Sequence, residues 1–434
     1  MRGTAATPAA IVEFSGAAVG ACGMRGTMSR RCTFPAVFLA LVCAAACGDQ
    51  GTGTQGEGDD SSGTSASTGG TSPGTGSTGV EDPTSGGVSQ SGTTQEPGTS
   101  TSTSDTGDTG DSSESGDPTG PPIAARCGDE PPPGATLAPE IPAYEGMCPP
   151  LITGYAENVF NVLPSAIGDT EYQRRFLVIV PEDLDPGEKL PVMFMWHWLG
   201  GEAKDFYERA EAQDAVNRMR FIAVIPQGGD QGVAFQWPYT ALDSEEALQA
   251  EFKFFDDMLS CVHEQFNVDK DCVSSVGVSA GALMTSQLAG GRGDRLASFL
   301  SLSGGTGGAF VKPWTAPRHK LPGMVLWGGE KDECIVIKFQ ETSQDLEMHL
   351  VEDGHFVVEC IHNCNHSTPP FEVEEGMTAF APLWDFMFAH PYWLEPGQSP
   401  YNSEGLPPSM PTWCAVGVGN AVPPPEPCDK NECS

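Results

Sequence analysis

Across 434 residues the chain sets 22 Lys and Arg against 58 Asp and Glu, a formal charge of −36. So acidic a chain lacks the cations that displace counterions from phosphates, which excludes nucleic acid as a partner favoured by composition. Its 53 Gly and 37 Pro are unevenly spread, and the first part lacks the apolar residues of a core, so one large domain of roughly 250–300 residues plus a non-globular remainder is expected.

The amino end reads as an export segment over residues 1–47. Arg30 and Arg31 precede an apolar run, 34–42, that ends in Ala44-Ala45-Ala46-Cys47 and is too short to span a membrane. Small residues before a cysteine resemble a bacterial lipobox, with Cys47 as the lipidated first residue of the mature chain. Met24 or Met28 fits as the start better than Met1, because it places the basic residues at the front. Cleavage after one of the alanines, releasing the protein, is the alternative. Either route puts the body outside the cytoplasm, at the cell surface or outer membrane or secreted, with any membrane contact made through a lipid anchor.

Residues 48–126 form a linker of Gly, Ser, Thr, Asp and Glu with no Lys or Arg between Arg31 and Arg126. Such a segment buries too little apolar surface to offset the entropy of ordering, so a disordered tether reaching roughly 50 Å is expected. From Cys127 the texture becomes globular. Apolar or β-branched runs at 175–180, 191–196, 221–225, 272–276, 296–302, 324–327 and 355–360 read as strands, and 246–264, 339–351 and 377–389 have helical periodicity. Strands buried on both faces and joined by crossover helices imply an α/β domain, 127–434, with a mostly parallel sheet flanked by helices. Reactive groups in such sheets gather at the carboxyl ends of the strands.

Ten cysteines lie in this body, an even number that suits disulfides in an oxidising compartment. Cys261, at a helix end, and Cys272, at a strand start, are the favoured pair. Cys360, His362, Cys364 and His366 could be read as a metal site, but no second Cys/His pair sits at zinc spacing, so no metal and no cofactor are expected. From about residue 393 a Pro-rich extension with Cys414, Cys428 and Cys433 should wrap the domain as a stapled loop near the substrate mouth.

Gly277-Val278-Ser279-Ala280-Gly281 is the most informative motif. Strand, sharp turn and helix around G-x-S-x-G form a nucleophile elbow, whose small residues permit a strained turn that lifts the serine hydroxyl clear. A serine hydroxyl needs a histidine to accept its proton and a carboxylate to fix that histidine. In chain order acid then follows serine and histidine follows acid. Asp332, after the strand at 324–327, is the favoured acid over Glu330 and Glu333. His366, after the last strand, is the favoured base, with His362 its rival. The backbone N–H of Ala280 and that of Trp198, in His197-Trp198-Leu199-Gly200-Gly201, are the expected oxyanion donors. Phe235 and Trp237 are expected to line an apolar substrate pocket.

From about residue 170 to 390 the chain resembles the esterase family of polyhydroxybutyrate depolymerases and feruloyl or acetylxylan esterases. The resemblance lies in the His197 loop, Phe254-Phe255-Asp256-Asp257-Met258, the elbow, the turn at Asp332 and the loop at His366. It departs at Trp198 and Asn365, where that family usually has Gly. It implies an α/β-hydrolase fold, a Ser279-Asp332-His366 triad, no metal, and exported action on esters of hydroxyacids or plant phenolics. An ester substrate, polymeric or small, and a monomeric chain are expected. A serine peptidase of the same fold, or a binding protein on a hydrolase scaffold with a defective site, are the alternative functions.

Overall fold

The computed structural model describes residues 125–428 and 430–433, so the export segment, Cys47 and nearly all of the linker lie outside the described residues. The first two strands, β1 (Asn161–Ile167) and β2 (Thr170–Ile179), pair as an antiparallel hairpin. Its two-residue turn is opened by Gly168 at φ +57°, a conformation that costs glycine little. Next come β3 (Leu190–Trp196), α1 (Ala203–Arg209), α2 (Ala212–Met219) and β4 (Ile222–Pro226), with every residue of β3 and β4 buried. The long helix α3 (Glu245–Gln265) starts where the Ser244 side chain accepts from the Ala247 N–H and where Glu245 and Glu246 face the positive end of the helix dipole.

Strand β5 (Val268–Val278) then runs into α4 (Ala280–Arg292) with Ser279 alone between them. It is followed by β6 (Ser298–Leu302), β7 (Gly323–Trp327), a small hairpin of β8 (Glu333–Cys334) and β9 (Ile337–Lys338), and α5 (Phe339–Asp353). The chain finishes with β10 (Val357–Ile361), α6 (Ala381–Phe388), α7 (Tyr401–Glu404) and β11 (Cys414–Val416). Nine strands form one sheet in the order β1-β2-β4-β3-β5-β6-β7-β10-β11. The run from β4 to β10 is parallel, with antiparallel neighbours at both ends. The carboxyl ends of β3, β5, β6, β7 and β10 therefore share one edge of the sheet.

Two apolar layers bury the faces of that sheet. Along β3, Leu190, Val192, Phe194 and Trp196 enter one layer, while Met193 and Met195 enter the other. That alternation follows from the period of two in a strand. In the first layer Arg174 of β2 meets Glu251 of α3 through two hydrogen bonds of 2.9 Å, both side chains fully buried, with its guanidinium 4.3 Å from the centre of the Phe254 ring. The paired charges answer the cost of burying either one alone.

Strands β1 and β11 went unanticipated. Pro164 interrupts the first run, and the second is three residues long, so neither presents a clear period. The helix expected over 377–389 begins only at Ala381, with Pro382 in its first turn, where a proline is tolerated. The expected Cys261–Cys272 pairing is corrected: Cys261 bonds Cys148 and Cys272 bonds Cys127. Cys148 packs against the layer holding Cys261, whereas Cys127 packs against the opposite layer. The amino-terminal coil thus crosses from one face of the sheet to the other, and each cysteine meets the partner on its own side. The remaining bonds, Cys334–Cys433, Cys360–Cys414 and Cys364–Cys428, staple the carboxyl-terminal extension to the domain.

Candidate active site

Ser279 stands at φ +55°, ψ −121° on the turn between β5 and α4. A non-glycine residue held there costs about 1–3 kcal/mol and survives only where its surroundings fix it. They do so closely. The Ser279 N–H donates to the Leu302 carbonyl at 2.9 Å, and its own carbonyl accepts from Ala282 and Leu283 at 2.9 and 3.0 Å. The flanking glycines are required by contact: a Cβ on Gly277 would lie 2.1 Å from the Gly281 oxygen, and one on Gly281 would lie 2.0 Å from the Trp196 oxygen. The second approach also presses the elbow against the end of β3, directly beside His197 and Trp198.

Asp332 follows β7 and His366 follows β10, and adjacent strands bring their loops together. The Asn365 N–H donates to the Gly328 carbonyl at 2.9 Å and the His362 N–H to the Trp327 carbonyl at 3.1 Å. A Cβ on Gly328 would sit 1.7 Å from the Asn365 oxygen. Asn363 and Asn365 adopt φ of +53° and +56°, and asparagine tolerates this left-handed region better than most residues. Asn365 therefore serves where the resembling family has glycine.

The three side chains form one hydrogen-bonded line. His366 Nε2 lies 3.0 Å from Ser279 Oγ, and His366 Nδ1 lies 2.7 Å from Asp332 Oδ1. The other carboxylate oxygen, Oδ2, accepts from Ser303 Oγ and from the Gly328 N–H, each at 2.7 Å. With Asp332 Oδ1 accepting, the proton sits on His366 Nδ1 and leaves Nε2 free to accept from the serine. The Phe339 ring stacks on the His366 ring at 4.5 Å and 14°, which limits its rotation. Such a line can take a proton from Ser279 as its oxygen forms a bond to carbon.

His362 does not join this line. It is buried, packs edge-on to Trp413 at 5.9 Å, and both of its ring nitrogens lack hydrogen-bond partners among the described residues. Burial outweighs the nearby Asp332 charge and pulls its pKa down to about 4. Cys360 and Cys364, the other members of the weighed metal motif, are both in disulfides.

The loop after β3 is fixed by His197. Its Nδ1 faces the Trp198 carbonyl at 2.9 Å and its Nε2 accepts from the Gly228 N–H at 2.9 Å. Burial lowers its pKa to about 4, so the ring stays neutral and presents one donor and one acceptor. Trp237 belongs to this support. It is wholly buried, donates from its indole N–H to the His197 carbonyl at 2.8 Å, and packs edge-on to Trp196.

Ser279 and His366 open into a cavity of about 240 Å³ between the sheet edge, α1, α6 and the stapled carboxyl-terminal segment. Its apolar wall includes Trp198, Phe206, Phe380, Leu383 and Trp384. Phe235 and Trp237 do not line it, a correction to the sequence reading. Both pack into the core on the other side of the β3 loop, with Phe235 near Tyr239. The sequence reading missed Ser303 and Phe339 as partners of Asp332 and His366. Only the position of Ser303 just after β6 hinted at a role, and nothing in sequence marked Phe339.

A serine raised on a strand–turn–helix at the carboxyl edge of a mostly parallel sheet, followed along the chain by acid and histidine, defines an α/β-hydrolase fold. No protein-family model and no curated protein matches the chain. Among solved structures it is similar to native pOPH, at 17% identity over 64% of this chain and 98% of that one, with a TM-score of 0.47. It is also similar to AmCE1/Fae1A, a CE1 ferulic acid esterase from Anaeromyces mucronatus solved with ferulic acid, at 15% identity over 50% and 89% of the two chains, TM-score 0.37. An acetyl xylan esterase from Aspergillus awamori has 17% identity over 34% and 53%, TM-score 0.28. The chain's own strand order and elbow, rather than these distant likenesses, define its fold.

Proposed function

We propose that the chain is an extracytoplasmic serine hydrolase of carboxylic esters, working through Ser279, His366 and Asp332. The observation that carries this reading is the line of hydrogen bonds from Ser279 through His366 to Asp332, at 3.0 and 2.7 Å, opening into a cavity with an aromatic wall. Ser279 Oγ attacks the ester carbonyl carbon while His366 Nε2 takes its proton and Asp332 stabilises the imidazolium. The negative charge on the former carbonyl oxygen is met by the backbone N–H groups of Ala280 and Trp198, each worth about 3 kcal/mol at the transition state. The C–O bond to the alcohol then breaks, His366 returns the proton to the leaving oxygen, and an acyl group remains on Ser279. Water repeats the sequence, activated by His366, and releases the acid.

At about 240 Å³ the cavity falls just below the usual range for small-molecule sites, so it suits a short acyl chain or a single aromatic ring. Five disulfides suit an oxidising compartment outside the cytoplasm. The route there, with Cys47 as lipid anchor, is part of the same proposal. Labelling by a fluorophosphonate that is lost in Ser279→Ala, together with turnover of acetyl, feruloyl or 3-hydroxybutyrate oligomer esters, is the expected result. Folded protein that neither labels nor turns over any of these esters would refute it and favour a binding protein.

A further inference from the structure

The lining of the candidate active-site cavity includes an ion pair that an ordinary acyl pocket does not need. Arg209, at the end of α1, is the only Lys or Arg among the described residues that line it, and Glu432, on the carboxyl-terminal segment, is the only carboxylate. Arg209 Nη1 donates to Glu432 Oε2 at 2.5 Å and to Thr368 Oγ1 at 2.7 Å, while the Thr368 hydroxyl lies 3.1 Å from the same Glu432 oxygen. The guanidinium also rests 4.8 Å from the centre of the Trp198 ring. Thr368 and Trp198 thus hold Arg209 in place without help from Glu432.

The segment bearing Glu432 does not depend on the ion pair either. It is stapled by Cys364–Cys428 and Cys334–Cys433, and the Glu432 N–H donates to the His366 carbonyl at 2.7 Å. Both charged side chains are close to half exposed, at 46% and 42%, where an ion pair contributes little to stability. A carboxylate held by a preorganised guanidinium, at little energetic gain and on a segment fixed by other means, is readily exchanged for another carboxylate.

Building on the ester-hydrolase reading, we infer that Arg209 with Thr368 is the specificity point of the cavity for esters that carry a second, free carboxylate, and that Glu432 stands in for that carboxylate when no substrate is bound. Substrate entry exchanges one carboxylate for another on the same guanidinium.

The test compares mono-4-nitrophenyl adipate with its methyl ester, which share the adipoyl chain and differ in the charge of its far end, as the ratio of their kcat/KM values. Arg209→Gln should lower the anionic-to-neutral ratio about tenfold, and Arg209→Lys should lower it less. Glu432→Gln, which removes the competitor, should raise it. The Arg209→Gln/Glu432→Gln double variant should show the low ratio of Arg209→Gln, since the charge and not the tethering of the segment sets it. A ratio that moves in neither single variant, or that falls in Glu432→Gln, overturns the inference. Binding is read apart from turnover by titrating Ser279→Ala with monomethyl adipate: adding Arg209→Gln should weaken it about tenfold. Equal binding by the two proteins overturns the inference even if the hydrolase reading fails on other grounds.

Discussion

Replacing Asp332 by Asn isolates what the carboxylate does for His366. Asp332 accepts three hydrogen bonds, from His366 Nδ1 on one oxygen and from Ser303 Oγ and the Gly328 N–H on the other. An amide keeps one acceptor and gains two donors. If its NH2 turned toward Gly328, two N–H donors would face each other at about the 2.7 Å now spanned by a hydrogen bond. The backbone donor has no second rotamer to relieve that clash, so the oxygen stays with Gly328 and Ser303, and the NH2 faces His366. His366 Nδ1 must then accept, its proton moves to Nε2, and the nitrogen facing Ser279 can no longer take a proton. The hydrogen bonds to Ser303 and Gly328 survive, so the thermal midpoint should stay near that of the parent. The kcat for a 4-nitrophenyl ester should fall by about 10³–10⁴, or about 4–5.5 kcal/mol of transition-state stabilisation. Initial rates at saturating ester, read beside thermal melts and with Ser279→Ala as the floor, measure both. A kcat within tenfold of the parent in a folded protein would show that Asp332 does not set the histidine tautomer.

Two further predictions concern stability and pH. Glu347 of α5 is fully buried, neither carboxyl oxygen has a partner among the described residues, and burial with Glu359 nearby pushes its pKa up to about 9. Its folded pKa lies above the unfolded value, so its contribution is whole below about pH 4.5 and is lost as pH rises toward 9. Glu347→Gln should therefore leave the denaturant midpoint unchanged at pH 4.5 and raise stability by about 2–4 kcal/mol at pH 8; an equal effect at both values would contradict the burial argument. His197, His362 and His390 behave oppositely, because burial holds each near a pKa of about 4. Their folded values are depressed, so stability should be flat above about pH 6.5 and fall as pH drops toward 4, by up to about 3 kcal/mol per histidine. Midpoints that stay constant across that interval would show that these rings gain protons without loss of the fold.

Much of the site was legible because its chemistry is local in the chain. Ser279 announces itself through Gly277 and Gly281, whose missing side chains the turn requires, and Asp332 and His366 follow two strands that stand out as continuous apolar runs. Phe235 and Trp237 were misplaced because aromatic character does not say which side of a loop a ring will occupy. The choice of Cys261 and Cys272 failed for a related reason: nearness in sequence says nothing about the face of the sheet on which a coil far upstream will lie.

By itself the sequence determined the kind of sheet, the order of the candidate reactive groups and the serine elbow, since each is written in neighbouring residues and in short apolar runs. Only the tertiary structure decided that His366 and not His362 reaches Ser279, that Ser303 and Gly328 hold the far oxygen of Asp332, and that Glu432 meets Arg209 along the cavity wall. Those pairs lie from 4 to 223 positions apart. Whether they meet depends on parallel strands setting their loops side by side and on disulfides carrying the last residues back across the mouth of the site.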